Sequence, residues 1–171
     1  MAIEAFRGTH PQKVDNKARV SIPAALRRIL EEGDPQNDGV KDSRPRVYMI
    51  FGGPGRDYVE CYSKSGSDDL ATRISAMKEG SKERNQVEWE LIGKSALVEI
   101  EPDGRVVLPV AVRSKMGFGP DDLTSGGEAV FVGLTNKFRL YRREVFVAFE
   151  ATSQASDRDP LTVLGEHMAL G

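Results

Sequence analysis

Hydrophobic and polar positions alternate along this chain in short bursts, and the bursts recur in one order. Val14 leads into the polar run Asp15–Ala18, a tight turn by composition. Val20 and Ile22 then flank Ser21 with a period of two, which predicts a short strand with one buried face. Pro23 follows and pre-sets the first turn of a helix over Ala24–Leu30, because the missing proline N–H is not needed there. Gly33 is the expected stop. "VYMIFGGPGRDYVECY" (47–62) then reads as two apolar strands around a glycine-bearing turn. The same order returns later. Ile100 leads into a turn at Glu101–Gly104, then "VVL", apolar throughout and so expected to be buried on both faces. Pro109 precedes a helix over Val110–Met116 with Gly117 as its stop, and "AVFVGLTNKFRLY" (129–141) supplies a second hairpin.

Between the two series lies a helical stretch. Leu70, Ile74 and Met77 stand at i, i+4 and i+7, with Ser67 as the expected N-cap. Val87 and Leu91 continue at i+4 spacing, and Trp89 falls off that stripe as a partly exposed packing residue. Residues 33–46 read as a loop, and 152–171 as a loose acidic tail.

The recurrence is a duplication. "VDNKARVSIPAALR" (14–27) and "IEPDGRVVLPVAVR" (100–113) lie 86 residues apart and share Arg19/Arg105, Val20/Val106, Pro23/Pro109, Ala25/Ala111 and Arg27/Arg113. A half made of two hairpins cannot cover both faces of its sheet alone, whereas two halves can complete one core. The expected fold is mainly β with short helices (α+β), a barrel-like core built from two internal repeats. The expected division is a first repeat at 3–65, linking helices at 66–93, a second repeat at 94–151 and the tail at 152–171.

Composition narrows the chemistry. With 171 residues and 39% hydrophobic residues, the chain suits one domain or two small halves sharing a core. No apolar run approaches the ~18 residues of a membrane span, and the start lacks a secretory pattern, so a soluble cytoplasmic protein is expected. A single cysteine, Cys61, excludes an internal disulfide and reads as a buried strand residue, with both histidines distant in sequence. The formal net charge is −2, but residues 1–30 carry +4 and residues 144–171 carry −4. A cationic pole suits a polyanion, although charge alone leaves a solvated face equally open.

The duplicated turn carries the sharpest chemistry. Asp15 and Arg19 face each other across a bend, so the carboxylate can accept turn N–H groups and one edge of the guanidinium. The rest of the planar fork is then aimed at a guanine edge or a phosphate. Lys17 at the turn tip suits a phosphate. Arg105 is the counterpart of Arg19 and is expected to contribute in a secondary role. Glu101 is its expected acid, and Ala18 and Gly104 are the equivalent residues before each arginine. Arg7, Lys13 and Lys94 are further candidate phosphate contacts. Arg27 and Arg113, on the helices, are expected to form ion pairs within or between subunits. The competing reading is a local ion pair that merely stabilises the turn, but exposed pairs contribute only ~0–1 kcal/mol. "FGGPGRD" (51–57) lacks the G-K-[ST] ending of a phosphate loop and reads as a hairpin turn. No catalytic triad, metal set or carboxylate pair has persuasive spacing, so an enzyme, a cofactor and a small-molecule substrate are not expected.

Both motif copies resemble the paired D-x-x-x-R signature of the MraZ family, and "FRGTH" and "VGLTNKFRLY" resemble it too. The resemblance covers about residues 3–150. It implies a swapped-hairpin, double-split β-barrel of the AbrB-like kind. It also implies a nucleoid-associated regulator of the bacterial division and cell-wall gene cluster. Such a protein would be a homo-oligomeric ring binding double-stranded DNA at short direct repeats in its own promoter. An AbrB-like antitoxin or other protein-interaction module is the alternative. The chain departs from the family pattern at Glu101, where aspartate is usual, at Ala18, where glycine is usual, and at Asp103, the counterpart of Lys17.

Overall fold

The computed structural model describes residues 4–34, 44–153 and 157–171. Eight strands form one sheet: β1 (Thr9–Val14), β2 (Arg19–Ser21), β3 (Arg46–Ile50), β4 (Val59–Tyr62), β5 (Ser95–Glu99), β6 (Arg105–Val107), β7 (Gly127–Gly133) and β8 (Phe138–Arg142). Their order is β5-β3-β4-β8-β7-β1-β2-β6, and every pairing is antiparallel. The outermost strands, β5 and β6, are consecutive in the chain. Glu101 N–H donates to Arg105 O across the turn between them (2.9 Å), so the sheet curls into a nearly closed barrel.

The duplication explains this order. Shifting the sequence by 86 residues maps β1 onto β5 and β2 onto β6, and the hairpin β3–β4 corresponds in order, at a shorter offset, to β7–β8. The pair β1–β7 then exchanges with β5–β3, while β2–β6 and β4–β8 map onto themselves. The barrel therefore has an internal pseudo-twofold, and each half supplies strands to the other. Register follows hydrophobicity: Val20 and Ile22 from one half and Val106 and Leu108 from the other are buried together. Val14, Val47, Val59, Phe131, Phe138 and Leu140 complete the same core.

Two helices close equivalent positions. Helix α1 (Ala24–Glu32) buries Leu26 and Leu30, and α4 (Val110–Met116) buries Val112 and Met116. Pro23 and Pro109 stand at the residue before each helix, and Gly33 and Gly117 end them. A second apolar cluster lies outside the barrel. There α2 (Lys64–Ser75) places Leu70 and Ile74 on Ile50 and Tyr62, with Val87 and Leu91 packed alongside. Val87 belongs to α3 (Lys82–Glu88), and Leu91 to the π-helical turn Trp89–Gly93 that follows. Strand β4 is thus buried on both faces. Trp89 is 60% exposed, as its position off the stripe predicts. Burial also drives the Cys61 thiol pKa far above its ordinary value.

Several expectations are corrected. The cap of α2 is Ser63, whose hydroxyl accepts the Gly66 N–H (3.1 Å), because the helix begins at Lys64 and encloses Ser67. "VVL" is not buried on both faces. Val107 is 43% exposed because β6 lies at the sheet margin and turns only Val106 and Leu108 inward. The tail is not loose throughout: α6 (Pro160–Leu170) is helical, with every residue exposed. Helix α5 (Arg143–Ser153) follows β8 directly and packs Phe146 and Phe149 on Tyr141, with ring centroids 5.8 and 5.4 Å away. The predicted loop 33–46 lies outside the described residues over 35–43. At its ends, buried Asp34 accepts two hydrogen bonds from the Arg46 guanidinium (2.9 and 2.8 Å).

The glycine-rich turn joins β3 to β4, as a hairpin reading requires. The Gly53 N–H donates to Glu90 Oε2 (2.7 Å), so a carboxylate of the chain itself occupies the loop's donor. Among the described residues, no helix is long and apolar enough to cross a membrane.

One close approach ties the start of the chain to the barrel. Phe6 N–H donates to Thr135 O (2.8 Å), and a Cβ at Gly133 would lie 2.3 Å from Arg7 N and 2.5 Å from Phe6 C. Those atoms are backbone and cannot swing aside. Gly133→Ala is expected to cost roughly 2 kcal/mol in urea unfolding, whereas Gly165→Ala on exposed α6, with nothing within 4 Å, should be neutral or slightly stabilising. Equal effects would contradict this packing.

Candidate nucleic-acid interface

The first turn is organised by one carboxylate. Asp15 N–H donates to Arg19 O (3.0 Å) and Ala18 N–H donates to Asp15 O (3.0 Å), closing the bend. Asp15 Oδ1 accepts the N–H groups of Lys17 (2.9 Å) and Arg19 (2.8 Å), and Oδ2 accepts Arg19 Nε–H (2.7 Å). The Arg19 backbone N–H is the largest cause holding the Asp15 carboxyl below its ordinary pKa, with burial opposing and the guanidinium contributing. The guanidinium is tied at Nε alone among the described residues, and its side chain is 31% exposed. Lys17 stands exposed at the tip.

The second turn reaches the same result with a different acid. Glu101 N–H donates to Arg105 O, and Gly104 N–H donates to Glu101 O (2.8 Å). The expected carboxylate, Glu101, makes no side-chain hydrogen bond to Arg105 among the described residues. Asp103 does: Oδ1 accepts Arg105 N–H (3.1 Å) and Oδ2 accepts Nε–H (2.7 Å). Aspartate's short side chain suits these nearby donors, whereas glutamate's extra methylene carries its carboxylate farther from the bend. The Arg105 backbone N–H and then its guanidinium lower the Asp103 pKa. The residues before the arginines share a left-handed backbone, Gly104 at φ +84° and Ala18 at φ +61°. Ala18 holds it with a methyl group, fully buried.

Strand pairing sets the two arginines side by side. In the β2–β6 register Arg19 opposes Val107 and Ser21 opposes Arg105, so all four belong to the outward face. Arg105 Nη1 lies 3.9 Å from Asp15 Oδ2, which places one carboxylate between the two guanidinium groups. A groove of about 630 Å³ is lined by Lys13, Asp15, Arg19, Ser21, Arg105 and Glu128, among others. Glu144 also lines it. Glu128 pairs with Arg143, and Glu144 pairs with Arg142 at 2.9 Å, so cations lie beside both acids.

The groove gathers Lys13, Arg19 and Arg105 from the sequence candidates, while Lys17 stands exposed on the adjoining turn and is not part of its lining. Arg7 is not among them. It precedes β1 at the end away from the turn, about 20 Å from Lys13 along the strand. Lys94 is engaged elsewhere, with Nζ 3.0 Å from Glu90 Oε1 and 5.4 Å from the Trp89 ring centroid. Of the ion pairs expected of Arg27 and Arg113, those within the chain do not form among the described residues. Arg27 Nη1 instead donates to Ile22 O (3.4 Å), and Arg113 Nε is buried without a hydrogen-bond partner. Ser21, Asp103 and Glu128 escaped sequence reasoning. Ser21 shares Arg19's parity and Asp103 lies two residues before Arg105, so both were signalled. Glu128 carried no local signal, because only the swapped β1–β7 pairing brings it opposite Lys13.

No family model matches the chain. Curated relatives do. "Transcriptional regulator MraZ" of Cereibacter sphaeroides is 43% identical over 145 residues, covering 85% of this chain and 84% of that protein. The protein of the same name in Ruegeria pomeroyi is 36% identical over 138 residues, covering 80% and 76%. The one in Rhodospirillum rubrum is 29% identical over 141 residues, covering 81% and 80%.

The lowered pKa of Asp15 has a pH consequence. The folded chain binds this proton less readily than the unfolded chain. The stabilisation is therefore complete above the unfolded aspartate value near ~4, and is lost as pH falls through the lower folded value. Melting temperature followed from pH 6 to pH 3 should fall more steeply for the wild type than for Asp15→Asn. Parallel curves would show that this carboxylate holds nothing.

Proposed function

The chain belongs to the MraZ family of transcriptional regulators, and on that premise we propose that it binds double-stranded DNA through the groove between its two turns. The observation that carries this reading is the pair of arginines. Each is tied through Nε to an aspartate, with the rest of its guanidinium left outward in one groove. A planar fork held in one orientation can donate two parallel hydrogen bonds to a guanine edge or a phosphate. Ser21, opposite Arg105 and two residues from Arg19 on the same face, adds a hydroxyl donor.

Arg19 with Lys17 is the primary contact, and Arg105 the secondary one. The tip of the first turn carries a cation suited to phosphate, while the tip of the second carries Asp103, which repels it. Lys13 extends the primary contact along β1, and Arg7 reaches phosphates farther along the duplex. Asp15, Ala18, Gly104 and Glu101 shape the turns without touching DNA.

Family membership supports the finer reading. One copy presents few cations, so it binds weakly alone. A ring of identical copies engages short direct repeats in the promoter of its own division and cell-wall gene cluster. Repeats about one helical turn apart, ~34–36 Å, present the same face of the duplex to successive subunits. Linked sites of matched spacing raise apparent affinity by ~10²–10⁴. The protein acts in the cytoplasm, at the nucleoid.

Fluorescence anisotropy with the chain's own upstream DNA tests this. Arg19→Ala should cost roughly 1–3 kcal/mol per site, at least about fivefold in affinity, with the melting temperature retained. Arg105→Ala should cost less. Affinity should also fall steeply as repeats are deleted one by one. Binding of Arg19→Ala within about threefold of wild type, or equal binding to one repeat and to three, rejects the reading.

A further inference from the structure

Arg27 is repeated as Arg113 at the same 86-residue offset as the turn arginines, yet among the described residues it forms no ion pair. Its guanidinium lies instead against the turn of the other half. A Cβ built on Gly104 would fall 1.8 Å from Arg27 Nη1 and 2.8 Å from Cζ, so the guanidinium fills the space that this glycine leaves. The contact belongs to a tight knot. Ile22 N–H donates to Gly104 O (3.0 Å), and Arg27 Nη1 donates to Ile22 O (3.4 Å). Arg27 shares its cleft, about 540 Å³, with Glu31, Arg44, Glu101, Pro102 and Asp103.

We infer that Arg27 is a positioning residue for Arg105: the guanidinium of the first half's helix braces the left-handed Gly104 backbone of the second half's turn and so sets the direction of the DNA-facing arginine that follows. The inference rests on the DNA-binding reading of the groove. Gly104 directly precedes Arg105, and its backbone sets the path into β6. The flat fork can lie against a glycine backbone, whereas a lysine ammonium offers no such plane. The brace is crosswise because the strands are swapped. It is also one-sided. The position equivalent to Gly104 is Ala18, whose buried methyl occupies the place of the Cβ that Gly104 lacks, and Arg113 Nε has no hydrogen-bond partner among the described residues.

Native-state amide exchange and DNA binding of Arg27→Gln, in the full chain, test this. Exchange at Gly104 and Arg105 should quicken about tenfold, while Ala18, Arg19 and the core amides keep wild-type rates. Affinity for the upstream DNA should fall while the slope of log K against log salt is retained, because a brace removes no phosphate contact. The loss should be non-additive with Arg105→Ala and additive with Arg19→Ala. Should Arg27→Gln fail to fold, Arg27→Lys replaces it and must show the same local exchange. Unchanged exchange at Gly104 and Arg105 overturns the inference, as does a salt slope reduced by about 0.9, the mark of a direct phosphate contact. Exchange needs no DNA, so a quickened turn in a protein that binds no DNA retains the brace and rejects only the reading of the groove.

Discussion

The Asp15 carboxylate is the contact on which the rest depends. It accepts two backbone N–H groups of its own turn and the Nε–H of Arg19, and lies 3.9 Å from the guanidinium of Arg105. An ion pair this exposed stabilises a fold by only ~0–1 kcal/mol. Its importance is geometric. Two guanidinium groups confined to one groove repel each other, and the carboxylate between them offsets that repulsion while fixing the orientation of the nearer one. The arginine forks are thereby arranged before any ligand arrives, which lowers the ordering cost of binding.

The strand swap gives that contact its setting. Without the β2–β6 pairing, Arg19 and Arg105 would belong to separate hairpins with no common groove. Each turn is hydrogen-bonded to the opposite half, through Leu108 N–H to Ala18 O (2.9 Å) and Ile22 N–H to Gly104 O (3.0 Å). The pseudo-twofold is broken at the tips, where Lys17 stands opposite Asp103, and beside the arginines, where Ala18 stands opposite Gly104. One turn is thus the more cationic, and the other carries the glycine against which Arg27 packs.

Much of this was legible in the sequence, and the failures have physical causes. The duplication, the strands around Ser21, the helices after Pro23 and Pro109 and the Asp15–Arg19 contact all follow from local chemistry. Ser67 was mistaken for a cap because the apolar spacing marks the buried face of α2 but not where it starts. Val107 was mistaken for core because an apolar run cannot reveal that its strand lies at a sheet margin. Glu101 was named as the second acid by analogy with Asp15, whereas side-chain length hands that place to Asp103. The tail's acidic composition concealed α6. The packing of Arg27 against the Gly104 backbone of the other half carries no signal in the charge pattern.

The central claim is that the paired turns, oriented by the Asp15 carboxylate, are the surface that meets DNA. Amide exchange of the protein with and without its upstream DNA tests it most directly. The account predicts slower exchange confined to residues 13–21, 101–107 and the 125–128 wall of the groove. Unchanged exchange there, with protection on another face of the barrel, would contradict it.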